Sequence, residues 1–122
     1  MAISIQEPSL LIRIPKLFRT GMSSRNLYDA TRGAWKLGRR QRARLAFAVD
    51  SGIVREVYEI ENWHPAGSTQ YVARKFENVD IQGSWEFTGR VASADVRDKY
   101  VGQSVADYFP RGARAPVIYV NL

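Results

Sequence analysis

The sequence contains no cysteine and a single histidine, His64. Without cysteine there is no disulfide framework, no thiolate zinc site and no thiol nucleophile. One histidine excludes two-histidine acid–base machinery and a multi-histidine metal site. The longest apolar runs, residues 10–12 and 45–49, are far too short to cross a bilayer. Glu7 and Pro8 stand where a signal segment would be charged and then apolar, so a cytoplasmic location without a membrane partner is expected. Nine Gly and five Pro are ordinary numbers and exclude a collagen-like or low-complexity chain. With 122 residues, 45% of them hydrophobic, one domain spanning 1–122 is expected, with 1–23 as an N-terminal extension that carries a short strand.

The net charge of +6 is unevenly placed. Residues 13–44 hold ten Lys or Arg against one acid, Asp29, whereas elsewhere eight bases face eleven acids. A basic half on a nearly balanced chain points to a polyanionic partner. Fourteen of the eighteen bases are arginine, whose planar fork matches phosphate and stacks on rings, which favours nucleic acid. A solvated charged face is the plainer alternative.

The hydrophobic pattern predicts strands over 9–14, 42–50, 53–61, 85–91 and 116–121. A first helix is predicted over 25–32, capped by Ser24 and ended by Gly33. A second, capped by Ser93, is predicted to reach about Tyr108 with Val96 and Tyr100 inward. Asp50-Ser51-Gly52 reads as the tight turn of a hairpin, and residues 63–69, with Pro65 and Gly67, read as a loop. The expected fold is α+β: a small curled mixed sheet or pseudo-β-barrel of five to six strands with two short helices.

Catalytic signatures are sparse. Glu59 and Glu61 are expected on one face of their strand and Glu56 on the other, so the three do not form a cluster. No Gly-rich loop leads into a phosphate-binding lysine. Ser51 and Ser68 have no base other than His64. No catalytic residue, metal or cofactor is assigned, and the chain is expected not to be an enzyme. The aromatic residues are more suggestive. Trp35 lies within the basic segment beside Lys36, Arg39 and Arg40, and Trp63 follows a strand. A tryptophan beside arginines can stack a base; as core residues both would be equally ordinary.

Residues 26–35, Asn-Leu-Tyr-Asp-Ala-Thr-Arg-Gly-Ala-Trp, resemble the opening of the YTH and EVE modules of the PUA-like superfamily (which also holds the ASCH type): a short helix, then Gly-x-Trp, at the mouth of a base pocket. Residues 46–57, Ala-Phe-Ala-Val-Asp-Ser-Gly-Ile-Val-Arg-Glu-Val, resemble their strand, turn and strand. Asn62-Trp-His-Pro-Ala-Gly67 is similar to the loop that brings a second tryptophan to the pocket. Trp85-Glu-Phe-Thr-Gly-Arg-Val91 and Ala115-Pro-Val-Ile-Tyr-Val120 resemble the later strands. The likeness covers residues 24–122 in colinear order. The sequence departs from it in length, in the extra N-terminal strand and in the Arg-rich run 39–44.

The resemblance implies a pseudo-barrel that receives one flipped-out, often modified, nucleobase of DNA or RNA. Trp35 and Trp63 match the two cage tryptophans, Asn26 lies near the position that contacts the base edge, and Tyr28 shares the pocket. Arg32, Lys36, Arg39, Arg40, Arg42 and Arg44 are expected to hold phosphates, with Arg42 and Arg44 on a strand face opposite Ala43 and Leu45. A small nuclease or hydrolase on the same scaffold would instead require a divalent metal and turn over nucleic acid. A module for a protein or small ligand would keep binding at high salt.

Overall fold

The computed structural model describes residues 4–14, 21–33, 35–36, 42–69, 83–110, 112 and 115–122. Among these residues five strands form one mixed, unclosed sheet in the order β4-β3-β2-β1-β5, and two α-helices accompany it. The strands are β1 (Ser9–Arg13), β2 (Leu45–Asp50), β3 (Ile53–Pro65), β4 (Trp85–Val91) and β5 (Val117–Val120); the helices are α1 (Ser24–Arg32) and α2 (Ala94–Tyr100). β1 runs parallel to β2, and every other neighbouring pair is antiparallel. The N-terminal strand is therefore an interior member of the sheet, held between β2 and β5, rather than an appendage.

Both faces of the sheet are covered, which explains why β1 and β2 read as apolar runs instead of alternating. On one face Leu11, Leu45, Phe47, Val49 and Val57 pack with Tyr100 of α2 and with Val105. On the other, Leu10, Ile12, Ala46, Ala48, Tyr58 and Phe87 pack with Leu27 and Tyr28 of α1, and with Trp35 and Trp63. The β2–β3 hairpin turns at Ser51 and Gly52, with φ of 55° and 74°. Two successive left-handed residues match the twist of the flanking strands, and Gly52 adopts that conformation without strain.

Several boundaries differ from the sequence pattern. Ser23, not Ser24, caps α1: its hydroxyl accepts from the Asn26 N–H at 3.1 Å. β2 starts at Leu45, three residues later than predicted; Ala43 packs on the opposite core from Leu45, so the apolar alternation does not extend back to it. β3 continues to Pro65, which places Trp63 and His64 in the strand, opposite Phe87 and Glu86, and not in a loop. Pro65 is tolerated there because Trp85, its partner, turns its N–H and C=O away to Trp35 (2.8 and 2.9 Å). The predicted second helix ends at Tyr100. The chain then reverses so that Gly102 and Val105 donate to Val54 and Gly52 at the start of β3, and only a 3₁₀ turn, Ala106–Tyr108, follows.

Candidate nucleic-acid interface

α1 carries an aspartate and an arginine one turn apart, Asp29 and Arg32, and both are buried. Arg32 Nε lies 3.0 Å from Asp29 Oδ1, and its Nη1 lies 3.6 Å from the buried carboxylate of Glu86 on β4. The same Nη1 donates to the Thr69 hydroxyl, which in turn donates to Glu86. Glu86 also accepts from the backbone N–H groups of Gly67 (2.6 Å) and Thr69 (2.9 Å). Arg25, half exposed, reaches Asp29 at 3.4 Å. Two carboxylates and two guanidinium groups thus neutralise one another and fasten the turn after β3 to α1 and β4. Arg32 is a structural cation 1% exposed, not a surface phosphate ligand as the sequence suggested. Asp29, Glu86 and Thr69 were missed; the three-residue spacing of Asp29 and Arg32 was the one local sign of this network.

The aromatic candidates gather on the α1 side of the sheet. Tyr28 packs its ring against Tyr58 and Phe87, with centroids 5.4 and 6.2 Å away, and the guanidinium groups of Arg32 and Arg25 lie 5.1 and 5.6 Å from its own centroid. Its hydroxyl accepts from the Gly89 N–H at 3.0 Å. That N–H sits at a break in the β3–β4 register, where Glu61 bulges between Ile60 and Asn62. Glycine is required at position 89, since a Cβ would overlap the Glu59 carbonyl. Burial, the largest effect, raises the pKa of Tyr58 far above the ordinary phenol range.

Trp35 exchanges two backbone hydrogen bonds with Trp85, and its indole N–H donates to the Thr31 carbonyl at 2.7 Å. Trp63 sets its ring edge-on to Phe87, 5.7 Å between centroids. Its indole N–H is buried and has no acceptor among the described residues. Each tryptophan is half-buried, so each is partly a core residue. Asn26 is half-buried in the first turn of α1, and its side-chain amide makes no hydrogen bond among the described residues. His64 is held by the Thr88 hydroxyl at 3.0 Å.

Lys36, Arg42 and Arg44 are exposed and form no ion pair among the described residues. Arg39 and Arg40 lie outside the described residues. Arg44 lines a cavity of about 280 Å³ together with Ala43, Leu45, Glu59, Ile60, Glu61 and Arg90. Within that wall Arg90 donates to Glu59 at 2.8 Å, and this bond, then the charge of Glu59, holds the guanidinium even more firmly protonated. Among the described residues the acids without an ion pair are Glu61, beside Arg44, and Asp95, Asp98 and Asp107 of α2 and the 3₁₀ turn, on the far side of the sheet. The unpaired cations Lys36, Arg42 and Arg44 therefore lie apart from three of the four unpaired carboxylates.

Among the described residues no group of three or more His, Asp or Glu is placed to hold a metal ion, and no helix is long and apolar enough to cross a membrane. No protein-family model, curated protein or solved structure matches the chain.

Proposed function

We propose that the chain is a non-catalytic nucleic-acid-binding module of PUA-like type. In this reading Lys36, Arg42 and Arg44, together with Arg39 and Arg40 of the same segment, grip phosphates. A flipped-out base, modified ones included, is read on the side of the sheet that carries Trp35, Trp63, Tyr28 and Asn26. The observation that carries it is the distribution of charge: Asp29, Glu86 and Glu59 are neutralised internally, which leaves Lys36, Arg42 and Arg44 against one unpaired acid, Glu61, on this side among the described residues. Trp63 adds a preorganised donor, because a buried N–H without an acceptor favours a ligand that brings one. Flipping a base costs a few kcal/mol. Stacking returns about 1–3 kcal/mol per base, and phosphate contacts must supply the rest.

The test is fluorescence anisotropy with single-stranded and duplex oligonucleotides, carrying modified or unmodified bases, across a salt series. Each phosphate contact adds roughly 0.7–0.9 to the slope of log K against log salt. The Lys36→Ala, Arg42→Ala, Arg44→Ala triple variant should lower that slope by about 2–3. Trp63→Phe, which keeps a ring and removes the N–H, should weaken base preference while leaving the slope intact. Binding that ignores salt, or a triple variant with an unchanged slope, would overturn the proposal.

A further inference from the structure

The cavity beside Arg44 holds two opposite charges that do not pair. Of its four charged lining residues, Glu59 and Arg90 satisfy each other at 2.8 Å. Arg44 and Glu61 remain, both exposed and neither in an ion pair among the described residues, although the charge of Glu61 also favours the protonated Arg90. Their backbones are locked side by side, because the Arg44 carbonyl accepts from the N–H of Ile60, the residue before Glu61, at 2.9 Å. Glu61 is the bulged residue of β3, and a bulge takes a side chain out of the regular alternation and re-aims it. The remaining lining residues are Ala43, Leu45 and Ile60; Ala43 and Leu45 are buried, so most of the exposed wall is polar.

A complementary ligand brings an anion for Arg44 and N–H donors for Glu61 (an ionised carboxylate only accepts). A nucleotide with an amino-bearing base meets both requirements. Guanine fits best, since its N1–H and exocyclic N–H lie side by side and match the two oxygens of one carboxylate. The volume stands near the lower end of ligand pockets, about 300 Å³, which suits one base better than a larger ligand. Glu61 also lies two residues from Trp63 on β3, about 7 Å along the strand, within reach of a neighbouring nucleotide. We infer that this cavity is a second nucleotide subsite, in which Glu61 selects an amino-bearing base, guanine foremost, while Arg44 holds its phosphate. The subsite rests on the nucleic-acid reading above and adds sequence context to it.

The experiment measures anisotropy of fluorescein-labelled single-stranded dodecamers, all dT or with one central dG, against the wild type and Glu61→Gln. The wild type should hold the dG strand about tenfold more tightly, the scale of one good bidentate contact. Glu61→Gln, on an exposed side chain, should bind both strands as the wild type binds all-dT. Equal binding of both strands by the wild type, or a dG preference that survives in Glu61→Gln, overturns the subsite and leaves the nucleic-acid reading standing. Failure to bind either strand at low salt overturns that reading and the subsite with it. In ¹H–¹⁵N spectra, 5′-GMP should shift the amides of Leu45, Ile60 and Glu61. Shifts produced by glycine and not by 5′-GMP would assign the cavity to amino-acid zwitterions and overturn the nucleotide.

Discussion

Replacing Arg32 by Ala separates a surface phosphate ligand from a buried structural cation. In the fold Arg32 is the partner shared by Asp29 and Glu86, whose side chains are fully buried. Its removal takes the buried cation from Asp29, whose other ion pair, to Arg25 at 3.4 Å, is on a half-exposed side chain, and leaves Glu86 with the amides and hydroxyl of residues 67–69. Breaking a buried ion pair from one side typically costs about 3–5 kcal/mol, because a desolvated charge loses its compensation. Substituting an exposed phosphate-binding arginine shifts stability by only about 0.5 kcal/mol. The assay is urea unfolding followed by tryptophan emission. With m of about 2 kcal/mol/M, the midpoint of Arg32→Ala should fall by roughly 1.5–2.5 M. That is a large part of the 5–15 kcal/mol typical of a domain, so Arg32→Lys is the companion variant where Ala does not fold. Lysine keeps the charge but cannot bond Asp29 through one nitrogen and Glu86 through another, and should lose about 1–2 kcal/mol. An Arg32→Ala midpoint within experimental error of the wild type, accompanied by weaker oligonucleotide binding, would refute the structural role.

Two further outcomes follow from local geometry. Gly89→Ala places a Cβ against the Glu59 carbonyl at the β3–β4 break and should destabilise by about 1–3 kcal/mol in the same urea assay; a neutral result would deny the close approach. At Glu7 burial acts to raise the pKa, but the hydrogen bond from Tyr100 (2.6 Å), backbone hydrogen bonds and Lys99 outweigh it and hold the carboxyl below its ordinary value of 4.5. A lowered folded-state pKa stabilises at pH above 4.5 and loses that contribution as pH falls through the folded value. Tyr100→Phe should therefore cost about 1–2 kcal/mol at neutral pH and make the acid loss of stability shallower, while an acid profile that keeps the wild-type slope would show that Glu7 is not held through Tyr100.

The strands were legible where a local rule decided them. The strand Trp85–Val91 keeps its predicted bounds, and the hairpin turns at Gly52, which adopts the left-handed conformation freely. The misplaced end of β3 was decided by partners distant in sequence. Pro65 and Gly67 signal a loop, yet Asn62–Pro65 stay in β3 because Trp85–Thr88 pair with them and Trp35 takes the outward bonds of Trp85. The helix signal after Ser93, by contrast, carries its own stop, Gly102, whose φ of 85° turns the chain just past Tyr100 and lets it recover hydrogen bonds with Val54 and Gly52. A short strand near the N-terminus reads as an extension, whereas burial on both faces of β1 makes it central.

The basic segment shows how a charge count overstates a binding surface. Among its ten bases, Arg13 donates to the Ala115 carbonyl and lies 4.8 Å from the Phe109 ring centroid, Arg25 pairs with Asp29, and Arg32 is buried between two carboxylates. None of these pairings follows from composition, because the carboxylate that matters most, Glu86, enters from β4, far from α1 in sequence. Subtracting the internal pairs leaves Lys36, Arg42 and Arg44 among the described residues, a smaller set than the sequence offered but the one with charge to share. The same subtraction on the acids leaves Glu61 beside Arg44 and the trio Asp95, Asp98 and Asp107 on the far side of the sheet. In the proposed reading, a polyanion meets attraction at Lys36, Arg42 and Arg44 and repulsion at Asp95, Asp98 and Asp107. Orientation is thus set before contact, and the carboxylate it meets on the attractive side is the one placed to accept from a base.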